Sequence, residues 1–293
     1  MKVHALSTGT VQITQNWMIG QGEGPMRLAR TLFDTDFTED LPIFCYVIEH
    51  PEGLIVVDTG IPADANRPVY FPPYMRLIQR AARFDMSPEQ EIGSQMRRID
   101  LEPQDVRWVV LTHLHQDHEG GLHHFPNAEF VIARREWQAA RGLKGRLGGY
   151  LNHRWPEWLS PTLVEFTGRR FGPFPEHQTL TRAGDVHLVP TPGHSAGHMS
   201  VIVEEEDHVL FLAGDASYSQ ELLRAGAVDG IGPSPALQRE THHRMRTYAA
   251  EQPTVFLPSH EWDARRRLAA REPIFTAEAE KDASEEQSPA ITV

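Results

Sequence analysis

The 293 residues carry 40 acidic and 28 basic side chains for a formal charge of −12, which excludes the broad basic footprint that a general nucleic-acid or anionic-membrane surface needs. Hydrophobic content of 40% and charged content of 23% are those of a globular chain, long enough to bury a core in one or two domains. The one cysteine, Cys45, excludes an internal disulfide. With neither a signal-peptide apolar region at the start nor a run near the roughly 18 apolar residues of a membrane span, a cytoplasmic protein is expected.

Residues 3–6 and 11–14 alternate well enough for two short strands joined by Ser7-Thr8-Gly9-Thr10. Residues 15–41 have little periodicity around Gly20-Gln21-Gly22-Glu23-Gly24-Pro25 and read as a long surface loop, a class of segment that is usually functional or mobile. Residues 41–49 and 54–58 read as strands about the turn Pro51-Glu52-Gly53. Cys45, within the first, is expected to be a small buried hydrophobe. The second ends in Asp58-Thr59-Gly60, where a short polar side chain can bond to nearby backbone as the chain turns. Beyond Pro68, Pro72 and Pro73, the spacing of Met75, Ile78 and Ala82 predicts a short helix. Ser87-Pro88-Glu89-Gln90 predicts an N-cap opening a helix to about Ile99.

The run Trp108-Val109-Val110-Leu111 reads as a buried strand and leads into Thr112-His113-Leu114-His115-Gln116-Asp117-His118. His113 and His115 are two apart, so both rings point the same way while the chain stays extended. Asp117 and His118 follow once it turns and can face a second point. Glu119-Gly120-Gly121 lets the backbone swing away from the cluster. One strand end can therefore offer two imidazoles to one metal ion and a carboxylate plus an imidazole to another. These donors suit zinc, iron, manganese or cobalt.

Residues 129–133 read as a strand and 134–141 as a helix, and the aromatic, glycine- and proline-bearing stretch 142–175 reads as an insertion or cap. Residues 186–190 lead to Thr191-Pro192-Gly193-His194-Ser195-Ala196-Gly197-His198. Strands are expected at 199–203 and 209–213, a helix at 235–250 and a final strand at 254–257, ending in Pro258-Ser259-His260-Glu261. From about residue 276 the chain is rich in Glu, Ala and Ser without periodicity and reads as a disordered tail; residues 1–275 read as one domain.

Buried strands that end in a ligand-type residue recur at His113, His194, Asp215 and His260. If those ends share one rim, seven groups converge, too many for one four-coordinate zinc and suited to two divalent ions bridged by a carboxylate. The assignment is His113, His115 and His194 on one ion, Asp117, His118 and His260 on the other, and Asp215 between them.

The His-x-His-x-Asp-His run resembles the signature of the metallo-β-lactamase superfamily, and the resemblance extends over about residues 3–275. It implies an αββα sandwich of two mixed β-sheets flanked by helices, with the metals at one edge. It also places the ligand of Thr-Pro-Gly-His at His194 rather than His198, and gives Asp58 an orienting role beneath the metals. Asp215 at the bridging place departs from true metallo-β-lactamases, where a cysteine is a ligand. Phe44-Cys45-Tyr46, Val57-Asp58-Thr59-Gly60 and Asp215-Ala216-Ser217-Tyr218 are similar to N-acyl-homoserine lactonases, the quorum-quenching lactonases.

That resemblance implies a dinuclear-metal hydrolase, with zinc the expected metal. A bridging hydroxide attacks the lactone carbonyl, Tyr218 donates to the developing oxyanion, and Asp117 delivers a proton to the leaving alkoxide. The partner is then a small-molecule lactone, with no nucleic acid and no membrane, and with a homodimer allowed. Competing expectations are another lactonase, a thioesterase of the glyoxalase II type (with Arg265, Arg266 and Arg267 as its basic residues), a phosphoesterase, or a metal-stabilised scaffold without activity.

Overall fold

The computed structural model describes residues 1–67 and 69–275; the expected tail, 276–293, lies outside them. The strands are β1 (Lys2–Ile13), β2 (Leu41–His50), β3 (Gly53–Val57), β4 (Ala82–Asp85), β5 (Val106–Leu111), β6 (Glu129–Ala133), β7 (Thr162–Val164), β8 (Gln178–Thr179), β9 (Val186–Pro190), β10 (Met199–Glu204), β11 (Val209–Gly214) and β12 (Thr254–Pro258). They form two sheets, of order β4-β1-β2-β3-β5-β6-β7 and β12-β11-β10-β9-β8. Both are mixed: β3, β5, β6 and β7 run parallel beside the antiparallel β1–β2–β3 meander, and β12 lies parallel to β11 beside antiparallel β10.

Alternation along the strands explains the layering. On β5, Trp108 and Val110 face the second sheet, in one cluster with Leu188, Val201, Leu212 and Val255. Val109 and Leu111 point the other way, in one cluster with Ile92 and Met96 of the helix Ile92–Arg97. On β11, Phe211 and Ala213 turn outward to Met245 and Tyr248 of the helix Pro235–Glu251. Helix, sheet, sheet, helix is the expected αββα sandwich. A strand buried on both faces must be apolar at every position, which is why these strands read as continuous hydrophobic runs; each such side chain contributes about 1.5–3 kcal/mol.

Several local expectations are corrected. The two N-terminal strands are one, with a register shift between Ser7 and Thr10 where Gly9 adopts φ 126°. The expected loop 15–41 contains helices Gln15–Met18 and Gly24–Phe33; the second is amphipathic, a signal masked by the glycines before it. Ser87 and Gln90 form a reciprocal capping box, but over a single turn, Pro88–Gln90. Glu91 is extended and the helix proper runs Ile92–Arg97, ending before Ile99. Strand β4 pairs with β1 immediately after the helix Arg76–Ala81. Within 142–175, Gly142–Leu147 is helical and Thr162–Val164 joins the first sheet beside β6. Among the described residues no helix is long and apolar enough to cross a membrane.

Candidate metal centre

The C-terminal ends of β5, β11 and β12 and the loop after β9 meet at one edge of the sandwich. Asp58, just past β3, holds the first of them. It sits at φ 60°, a region costly for a non-glycine residue. Its Oδ1 accepts the Thr112 backbone N–H at 2.8 Å, and its Oδ2 accepts the Thr112 hydroxyl and lies 2.8 Å from His118 Nδ1. One buried carboxylate thus fixes the strand end and the ring of His118. Gly214, at φ 56°, closes the β11 end against it; a Cβ there would lie 2.7 Å from Thr112 Oγ1 and 2.9 Å from His198 Nε2.

The seven expected donors come together. His115 Nδ1 lies 2.9 Å from His113 Nε2 and 3.0 Å from His194 Nε2. Tetrahedral zinc with bonds near 2.05 Å holds its ligand atoms about 3.3 Å apart, so three nitrogens at this spacing could hold one ion. A second group is Asp117, His118 and His260, with His260 Nε2 3.6 Å and His118 Nε2 3.9 Å from Asp117 Oδ2. Asp215 stands between: Oδ1 is 3.2 Å from both His118 Nε2 and His260 Nε2, and Oδ2 is 3.5 Å from His194 Nε2.

The protein leaves this cluster unsatisfied from within. His118 Nε2 and Asp215 Oδ1 are buried and, despite their 3.2 Å separation, misaligned for a hydrogen bond to each other or to any other group. Orphaned buried acceptors of this kind are costly, and a cation between them removes the cost. Outward-facing nitrogens are occupied instead. His113 Nδ1 meets Thr112 Oγ1 at 3.1 Å, His194 Nδ1 meets Asp229 Oδ2 at 2.9 Å, and His260 Nδ1 meets the Pro42 carbonyl at 2.8 Å. In a neutral, metal-holding ring each contact would place the proton on the outer nitrogen and turn a lone pair inward. Burial and the neighbouring imidazoles hold His113 and His115 well below the usual histidine range, as neutral donors. Burial opposes charge on Asp215, yet His260 and His118 outweigh it and keep the carboxyl ionised.

His198 does not join the donors. Its Nε2 accepts the Asp215 backbone N–H at 3.1 Å and its Nδ1 meets Thr191 Oγ1 at 2.9 Å. Burial and His194 push it down to about 3, so it supports the Asp215 backbone as a neutral ring.

Three supporting residues escaped the reading of the sequence. Asp229 holds His194 and is itself held by Gln238 Nε2 and the N–H groups of Ile231 and Gly232. Glu136, fully buried, accepts from the Leu114 N–H and Tyr150 hydroxyl on Oε1 and from the Ser195 hydroxyl and Gly197 N–H on Oε2. It ties together the two loops that carry His113, His115 and His194. Trp17 donates its indole N–H to the Tyr218 hydroxyl at 2.9 Å.

A cavity of 360 Å³ opens onto the cluster, within the range of small-molecule sites. His115, Asp117, Asp215, His260 and Tyr218 form its floor. Its walls are apolar: Val11 and Ile13 from β1, Leu28 and Leu32 from the helix Gly24–Phe33, Leu77 and Ile78, and the 147–149 turn.

Comparison with known proteins follows the same lines. Residues 38–274 match the metallo-beta-lactamase superfamily. An N-acyl homoserine lactonase of Bacillus thuringiensis is 30% identical over 227 residues, covering 74% of this chain and 80% of that protein. The N-acyl homoserine lactonase AttM of Rhizobium radiobacter is 26% identical over 280 residues, 90% of this chain and 94% of that one. A solved N-acyl homoserine lactone hydrolase, with the product N-hexanoyl-L-homoserine bound at its catalytic metal center, shares the fold with TM-score 0.71 at 24% identity, over 90% of this chain and 95% of that chain. The chain belongs to the metallo-β-lactamase superfamily and, within it, to the family of the N-acyl homoserine lactonases.

Proposed function

We propose that this protein hydrolyses the lactone ring of N-acyl-homoserine lactones, with two divalent ions, zinc by our assignment, held by His113, His115 and His194 and by Asp117, His118 and His260, and with Asp215 between them. The observation that carries the reading is a pair of donor groups sharing one carboxylate at the floor of an apolar cavity. Such ions, when bound, supply Lewis acidity and lower the pKa of coordinated water to about 7, which makes a nucleophile available at neutral pH. Overall, water adds across the ester: its oxygen joins the carbonyl carbon, the C–O bond to the ring oxygen breaks, and that oxygen takes a proton.

The chain's own residues do the rest. Burial and the charges of Asp215 and Asp229 push the Tyr218 phenol well above its usual value, so it remains a proton donor. Trp17 already donates to its oxygen, which leaves the phenolic O–H free to point into the cavity at an oxyanion. Asp117, on the cavity floor, would take the proton that the adding water gives up and hand it to the departing ring oxygen. The apolar walls suit an acyl chain. Opening this ring would make the protein quorum-quenching in the sense used for AidC, a dizinc lactonase that shares the fold with TM-score 0.61 at 14% identity, over 89% of this chain and 87% of that chain.

The three arginines weighed for a thioesterase are each engaged within the fold, which favours the lactonase reading. Arg265 donates to the Ala5 carbonyl, Arg266 pairs with Asp263 and Glu272, and Arg267 is buried against Asp263, Glu261 and the Phe256 carbonyl. A panel of acyl-homoserine lactones, thioesters and phosphodiesters on metal-loaded protein tests the proposal. Turnover of the lactones is expected; inert lactones beside a rapidly cleaved thioester or phosphodiester refute it.

A further inference from the structure

A second group of metal-type donors lies outside the cavity. Glu91 precedes the helix Ile92–Arg97, and its Oε1 accepts the Ala63 N–H at 2.8 Å, which fixes the side chain. Its Oε2 is hydrogen-bonded to His124 Nε2 at 2.9 Å and lies 3.6 Å from His123 Nε2. The two imidazoles, on the single turn Leu122–His124, lie with ring centroids 4.0 Å apart, and one donor atom from each of the three residues falls within 4.8 Å of the others.

The surroundings hold this arrangement. Gly93 leaves the space that the His124 ring fills: a Cβ at 93 would lie 2.6 Å from His124 Nδ1. A glycine inside a helix costs about 1 kcal/mol relative to alanine, so the room it makes for an imidazole has a structural cost. A hydrogen bond from His124 to Glu91 explains two of the three groups. It leaves unexplained why the His123 ring, half exposed, lies tilted against its neighbour with its nitrogen turned to the same oxygen.

We propose that Glu91, His123 and His124 bind a divalent transition-metal ion, completing a three-donor site whose remaining positions face water. Two imidazole nitrogens and one carboxylate oxygen suit a borderline ion such as Zn²⁺, Ni²⁺ or Cu²⁺ rather than Ca²⁺ or Mg²⁺. The ion would clamp the Leu122–His124 turn to the start of the Ile92–Arg97 helix. That turn follows Gly120 and Gly121, whose N–H groups donate to the Gly60 carbonyl at 2.9 Å and to Thr59 Oγ1 at 3.1 Å. The clamp therefore braces the segment that carries Asp117 and His118 from outside. The proposal is independent of the roles assigned in the cavity.

The test is metal counting on the full chain with its cavity sites loaded. Wild type, His123→Gln and His124→Gln are dialysed against micromolar free Zn²⁺, and zinc per chain is measured by mass spectrometry, with circular dichroism to check folding. The wild type is expected to hold one ion more per chain than either variant. The variants should bind that ion more weakly by at least the roughly 10–100-fold that loss of an outer partner alone causes. As a second readout, Cu²⁺ added to the zinc-loaded protein should give an electron paramagnetic resonance spectrum split by two imidazole nitrogens, reduced to one in His123→Gln. Equal zinc content in all three proteins, or a copper spectrum unchanged by His123→Gln, overturns the proposal whatever the cavity holds.

Discussion

Glu136→Gln is the substitution whose cost the structure defines most closely. The carboxylate accepts four donors, two on each oxygen. An amide leaves one oxygen and turns an NH₂ toward the other pair. The hydroxyl of Tyr150 or Ser195 can rotate to accept, but the paired backbone N–H, from Leu114 or Gly197, cannot. A buried donor so abandoned costs about 1–3 kcal/mol. The two surviving bonds lose their charge assistance, at about 1 kcal/mol each. The sum is about 3–5 kcal/mol, a large share of the roughly 5–15 kcal/mol of a typical fold, and corresponds to a Tm lowered by about 6–20 °C. Leu114 lies between His113 and His115, and Ser195 adjoins His194, so metal affinity should fall by about 10–100-fold as well. Thermal unfolding of metal-loaded protein, paired with chelator competition, reads both quantities. A Tm within about 2 °C of wild type together with unchanged metal affinity would refute the assignment of Glu136 as the tie between the two loops.

Tyr218→Phe should lower kcat by about 100–1,000-fold while metal content stays the same. Trp17→Phe, which removes only the indole N–H that orients that phenol, should lower it by about 5-fold, corresponding to about 1 kcal/mol; unchanged lactone kinetics in Tyr218→Phe would remove the tyrosine from the reaction. In alkali, burial keeps the Cys45 thiol and Tyr46 phenol protonated in the fold, well above their ordinary values. The unfolded chain ionises them near about 8.5 and about 10. Stability is then at its full value below about pH 8.5 and falls as pH rises, by up to about 1.4 kcal/mol per pH unit from Cys45 and as much again from Tyr46 above about pH 10. Denaturant midpoints from pH 7 to pH 11 measure this, and Cys45→Ala should flatten the first decline; a midpoint constant across the range contradicts it.

The sandwich and the meeting of seven donors were legible because each depends on a local pattern. Strands buried on both faces read as apolar runs, and the donors sit where those runs stop, at His113, Asp215 and His260, or in the short Thr-Pro-Gly-His loop. What was hidden depends on distance along the chain. Trp17 and Tyr218 are 201 residues apart and meet through one hydrogen bond, and nothing near Trp17 announces it. Glu136 opens a helix of ordinary amphipathic appearance, where a glutamate normally faces water; only the fold shows it buried. Asp229 lies in a stretch with no periodicity. Strand β4 has four residues and borrows its order from β1. Nothing in the local sequence marks His123 and His124, since their common partner Glu91 is over 30 residues away in the chain.

The central claim is that the converging imidazoles and carboxylates hold two ions on which hydrolysis depends. Its most direct test counts metal per chain and measures lactone opening on the same samples, for wild type, chelated wild type and His115→Ala. Two cavity ions per chain, beyond the one assigned to Glu91, His123 and His124, accompany ring opening, and the cavity ions and the activity are lost together on chelation and in His115→Ala: this is the predicted result. Full turnover by the chelated protein, or by a His115→Ala variant that still carries both ions, would contradict it.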